Sequence, residues 1–88
     1  MVQVSKAAGT VLLDSLLNAS VPAETGYRLA SSQGGNKLRM DRPSTDDRVV
    51  RREGHVVFMV EPELDEQLEG VVLDLKDRDR ERLVLEVL

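Results

Sequence analysis

The chain has no cysteine, no tryptophan, a single histidine and only two aromatic residues, Tyr27 and Phe58. Without cysteine there is no disulfide framework, no thiolate zinc site and no cysteine nucleophile. With His55 as the lone imidazole, a transition-metal site lacks its usual ligands. Two aromatics leave the core to valine and leucine, and they provide no stacking platform for bases. Cations are outnumbered: the net charge is −4, so no general affinity for nucleic acid is expected. No run of 18 apolar residues occurs, and no membrane span is expected. The opening stretch MVQVSKAAGTVLLDSLL has no basic segment ahead of its apolar part, and Gly9, Thr10 and Asp14 interrupt it. It does not read as a signal peptide, and a cytoplasmic location is expected.

What remains suits a soluble globular protein. Apolar residues make up 41% and charged residues 32% of 88, which predicts one domain over residues 1–88. A domain of this size buries about 60–65% of the surface its unfolded chain exposes, so its stability is modest. VQV (2–4) reads as a short strand. Ser5 is placed to cap a helix over 6–18. On that helix Ala8, Val11, Leu12, Ser15, Leu16 and Ala19 fall on one face, with Leu13 and Leu17 widening it. TGYRLAS (25–31) and KLRMD (37–41) read as strands around a glycine connection. DRPSTDD (41–47) is a turn-rich loop.

Glu53-Gly54 between RVVRR (48–52) and HVVFMV (55–60) predicts a tight hairpin. The second of these strands is apolar on both faces, as a central strand is. Pro62, Leu64, Leu68 and Gly70 predict a helix of about two turns after Glu61. VVLDL (71–75) reads as a strand, DRDR (77–80) as a turn, and RLVLEVL (82–88) as a last strand with Leu83, Leu85 and Val87 on one face. The fold class expected is α+β, with a mixed or antiparallel sheet, one longer N-terminal helix and one short helix.

That order of elements resembles the HesB/IscA-like family, the A-type iron–sulfur cluster carriers. The resemblance covers nearly the whole chain. Its most specific part is HVVFMVEPELDEQLEGVVLDL (55–75), which resembles the family's apolar strand, its short helix begun by acid-Pro, its glycine turn and its next strand. VQVSKAAGTVLLDSLL resembles the family's first strand and helix. The resemblance implies a glycine loop carrying one cysteine and a later Cys-Gly-Cys supplying two more thiolates. Here the loop reads Ser31-Ser32-Gln33-Gly34-Gly35-Asn36, with Gly34 at or beside the cysteine position, and the sequence at hand ends with its last strand. All three ligands are expected to be absent, and shared fold does not carry activity with it.

Other candidate sites have plain structural explanations. QGGNKL (33–38) lacks the Ser/Thr and the following helix of a phosphate loop, so Gly34 and Gly35 are expected to shape a connection and Lys37 to bind nothing. His55 is expected to be a solvated or hydrogen-bonded imidazole at a strand end, with Glu53, Asp46 and Asp47 as its nearest carboxylates. Glu61, Glu63, Asp65, Glu66 and Glu69 are expected to form a solvated acidic face favouring the N-terminus of the short helix. Arg39, Arg42, Arg48, Arg51 and Arg52 make a basic patch if strands 37–41 and 48–52 are neighbours; alternating polar positions on an exposed sheet face explain them equally. No nucleophile–histidine–acid arrangement is recognisable.

The expected function is that of a cysteine-free relative of the cluster carriers: not an enzyme, without catalytic, cofactor or metal residues, and acting as an interaction or accessory protein. The alternative is an iron–sulfur assembly factor that works with ligands supplied by a partner. An unidentified protein partner and a homodimer through unguarded sheet edges are expected.

Overall fold

The computed structural model describes residues 1–77 and 82–87. Nine elements follow one another: β1 (Gln3–Val4), α1 (Lys6–Asn18), β2 (Gly26–Ser32), β3 (Gly35–Asp41), β4 (Arg48–Arg52), β5 (His55–Val60), α2 (Pro62–Gln67), β6 (Val71–Asp77) and β7 (Arg82–Val87). They form two mixed sheets. One has the order β1-β6-β7, with β1 parallel and β7 antiparallel to β6. The other has the order β3-β2-β5-β4, with β2 and β5 parallel and the outer pairs antiparallel. This is the α+β architecture the residue patterns predict.

Local chemistry explains the element boundaries. The Ser5 hydroxyl accepts the Ala8 N–H at 3.1 Å and starts α1; it also donates to Asp74 at 2.6 Å, tying the helix entry to β6. Glu53 (φ 50°) and Gly54 (φ 77°) both adopt positive φ, as a two-residue hairpin turn of the favoured twist requires. Pro62 occupies the first turn of α2, where no N–H is needed. β5 lies between β2 and β4 with all six residues buried, which is why it is apolar on both faces.

The core joins α1 and both sheets through Val2, Leu12, Leu16, Leu29, Phe58, Leu64 and Leu73. The helix face is narrower than the spacing suggests. Ala8, Gly9, Leu12, Leu13 and Leu16 are buried, whereas Leu17 is 56% exposed and Ser15 and Ala19 lie at the surface. Gly9 is buried because the Arg52 guanidinium crosses it: a Cβ there would meet the guanidinium carbon at 2.7 Å. Asp77 belongs to β6 instead of a turn; the rest of the charged turn expected at 77–80, and Leu88, lie outside the described residues. Val87 is 83% exposed and does not join Leu83 and Leu85 against the core.

Candidate functional site

The glycine connection is a tight β2–β3 turn. Ser32 pairs with Gly35, leaving Gln33 and Gly34 as the two turn residues. Gly35 has φ +117°, a conformation L side chains rarely adopt, whereas Gly34 does not have positive φ. A Cβ built on either glycine would meet nothing within 4 Å, so neither is held open for a close-lying group. The Ser32 hydroxyl donates to the Gly35 carbonyl at 3.1 Å, and Ser31 to the Asn36 side chain at 3.4 Å. The loop's polar groups thus serve the turn itself.

His55 is buried, 7% exposed, contrary to a solvated strand end. Its Nδ1 lies 2.7 Å from the Val56 carbonyl, so the hydrogen-bonded reading of this imidazole holds; Nε2 is buried without a partner among the described residues. Asp46 and Glu53 are exposed, and Asp47 is committed elsewhere. No group of three or more His, Cys, Asp or Glu comes together as a metal site among the described residues.

The arginines do not form a patch. Strands 37–41 and 48–52 are the two opposite edges of the four-stranded sheet, with β2 and β5 between them. Arg48 donates to both carboxylate oxygens of Asp65, at 2.9 and 3.0 Å, and to the Val2 carbonyl. Arg51 makes a two-point pair with the exposed Glu24. Arg52 reaches α1, donating to the Lys6 carbonyl and the Thr10 hydroxyl at 2.8 and 3.0 Å.

The acidic face is likewise divided. Glu61, Glu63, Glu66 and Glu69 are exposed, but the Asp65 side chain is only 13% exposed. It accepts the Val2 N–H at 2.8 Å as well as the Arg48 bonds. The Arg48 hydrogen bonds hold its carboxyl below the usual carboxylate range.

The most extensive polar network centres on Arg28, a residue that composition and spacing do not single out. Its guanidinium donates to Asp41 at 2.7 Å, to both oxygens of Asp47 at 2.6 and 2.9 Å, and to the Arg42 carbonyl at 3.2 Å. The Asp47 side chain is 3% exposed and also accepts the Ser44 N–H at 2.6 Å. Hydrogen bonding from Arg28 lowers the pKa of Asp47 and of Asp41, and that of Arg28 is raised chiefly by Asp47. The network folds the 42–47 loop onto β2. Both Asp47 oxygens accept hydrogen bonds, so this cluster acts as a fastening for the loop.

A cleft of about 380 Å³, lined mainly by aliphatic side chains, lies between the sheets, where β3 of one approaches β7 of the other. Leu29 and Leu73 are buried, while Leu38, Leu83, Val84 and Leu85 are half-buried around it. Asn36 and Lys37 also line it. No helix among the described residues is long and apolar enough to cross a membrane.

Among solved structures, the crystal structure of Escherichia coli SufA, described as involved in biosynthesis of iron–sulfur clusters, is similar to this chain. The TM-score is 0.68 with 22% sequence identity, over 97% of this chain and 81% of that one. No protein-family model and no curated protein sequence matches it. At this identity the likeness shows the fold: the two mixed sheets and two helices are SufA-like. The residues present here do not fit an iron–sulfur cluster. Such clusters are held by thiolates; the 88 residues contain none, and the single imidazole is buried in β5.

Proposed function

We propose that this domain is a non-catalytic interaction or accessory protein, built on the fold of the A-type cluster carriers, that does not hold a cluster on its own side chains. It works in the cytoplasm with a protein partner. One observation carries the reading: the turn at Gln33–Gly34 and the rest of the 88 residues supply no thiolate, while the surrounding fold is SufA-like. The polar clusters support it too. Arg28, Asp47, Arg48 and Asp65, the most buried of the described ion-paired side chains, are engaged in holding loops and strands together.

Anaerobic reconstitution with ferrous iron and sulfide tests this. The expected result is no stoichiometric cluster, with iron and sulfide removed by desalting. A stable chromophore with one cluster per chain or per dimer would overturn the proposal. Repeating the reconstitution with a cysteine-bearing carrier tests the assembly-factor alternative, which requires cluster at a shared site that neither protein forms alone.

A further inference from the structure

β3 is an edge strand of the four-stranded sheet: among the described residues it is bonded only to β2. That pairing runs from Gly35 to Asp41 without a register shift, and no proline falls in the strand. β4, the opposite edge, is interrupted between Val50 and Arg51, and its arginines fold back onto the domain. Of the two edges, β3 is the one along which a further extended segment can line up, because its outer row of backbone groups runs on unbroken.

The side chains of β3 say what that segment carries. They alternate between the two faces of the sheet. Lys37 and Arg39 stand opposite Ala30 and Arg28 on one face, and Leu38 and Met40 stand opposite Leu29 and Tyr27 on the other. Lys37 is exposed, and the Arg39 side chain is 68% exposed. The ion pair from Arg39 to Asp41 is long, 4.0 Å, and Asp41 already holds Arg28 at 2.7 Å. On the other face Leu38 is half-buried beside the cleft, and Met40 is 43% exposed. In the antiparallel register that overlaps β3 fully on a second copy, centred on Leu38, each Lys37 opposes an Arg39. Like charges directly opposite repel, and opposite charges attract. The same two cations that turn away this strand's own copy in that register favour an acidic one.

We propose that the β3 edge takes an extended acidic segment of a protein partner as an added strand. A carboxylate lies opposite Lys37, an apolar side chain opposite Leu38 and a second carboxylate opposite Arg39. The carboxylates meet the two cations on one face. The apolar side chain falls on the other, against Leu38 at the cleft, and the next apolar position covers Met40. Backbone pairing supplies affinity, and the alternation of side chains supplies specificity. The inference rests on the reading of this domain as an interaction protein, and adds where the partner binds and what it carries.

A capped peptide of alternating valine and glutamate, titrated into the full chain and followed by backbone amide chemical shifts, tests it. Saturable shifts are expected along β3, strongest from Asn36 to Met40, with Kd rising as salt is added. Lys37→Glu or Arg39→Glu alone is expected to weaken binding about tenfold, with an unchanged circular dichroism spectrum. The same peptide with lysine in place of glutamate is expected to bind the K37E/R39E chain and not the wild type. Peptides N-methylated at the valines or at the glutamates separate an added strand from a loosely attracted anion. Alternate residues turn their N–H toward β3, so at least one of the two must lose binding. The inference is overturned by an acidic peptide that gives no saturable shift or by shifts that lie away from β3. It is also overturned if both N-methylated peptides bind as well as the parent, or if β3 pairs with a second copy as concentration rises. A chain that binds neither the peptide nor a cluster loses this inference alone, whereas a cluster formed on reconstitution overturns the reading beneath it.

Discussion

The side of the molecule around β4 and the side around β3 and β7 both end in edge strands, yet they are finished differently. β4 is lashed down by its own side chains: Arg48 to α2 and to Val2 just before β1, Arg51 to Glu24, Arg52 to α1. The loop leading into β4 is fastened as well, by Arg28 gripping Asp47. Around the cleft, β3 and β7 face each other with aliphatic side chains, and no comparable tie joins them among the described residues. Charged residues thus mark the closed side of this domain and aliphatic ones the open side. A run of arginines in sequence need not be one binding surface when Arg48, Arg51 and Arg52 already have acceptors within the fold.

The strongest way to break the contrast is to remove the central fastening. Arg28→Met leaves the Asp47 carboxylate buried without its cation, and breaking a buried pair in this way costs about 3–5 kcal/mol. Denaturant melts should show a loss of that order; a change within error would mean that the loop is held by other contacts. The same variant sharpens the pH behaviour. Asp47 and Asp65 have lowered pKa values in the fold. Their contribution is therefore present above the ordinary aspartate value of about 3.9 and is lost as pH falls through the lowered values. Wild-type stability should drop on acidification below about pH 4, and Arg28→Met should drop less, since Asp47 is no longer held down.

On the open side the largest single-residue effect is conformational. Gly35→Val forces a β-branched residue to φ +117° and should cost roughly 1–2 kcal/mol, whereas Gly34→Val meets open space at ordinary φ and should cost less. Thermal melts that rank the two in the other order would show that the turn has been misjudged. The smallest effect belongs to the exposed tie. Arg51→Ala removes a pair whose members are 51% and 54% exposed, and its melting temperature should stay close to wild type in physiological salt. A large drop would mean that the β4 edge depends on that pair.

Much of the fold was legible because it follows from near neighbours. The Ser5 cap, the helix over 6–18, the Glu53-Gly54 turn and the Pro62 start each depend on a few consecutive residues. The buried strand 55–60 announced itself by being apolar on both faces. Leu17 misled because periodicity gives a face but not its width, and that width depends on what packs against the helix. For His55 the sequence left a solvated and a hydrogen-bonded imidazole open, and only the packing of the sheet decided for the buried, hydrogen-bonded one. Arg28 and Asp65 gave no signal, since an arginine in a strand and an aspartate in an acidic run usually face water.

By itself, then, the sequence determined which segments are helix, strand or turn, and that its 88 residues bring no thiolate, because backbone preference and side-chain chemistry are properties of the residues themselves. Tertiary structure alone decided that β3 and β4 are opposite edges, that Arg48 meets Asp65 while Val2 shares that carboxylate, and that Leu38 and Leu83 flank one cleft. Those outcomes rest on contacts between distant parts of the chain, with Val2 and Asp65 separated by 63 positions. The strand order that brings them together is chosen by how all the apolar faces can be buried at once.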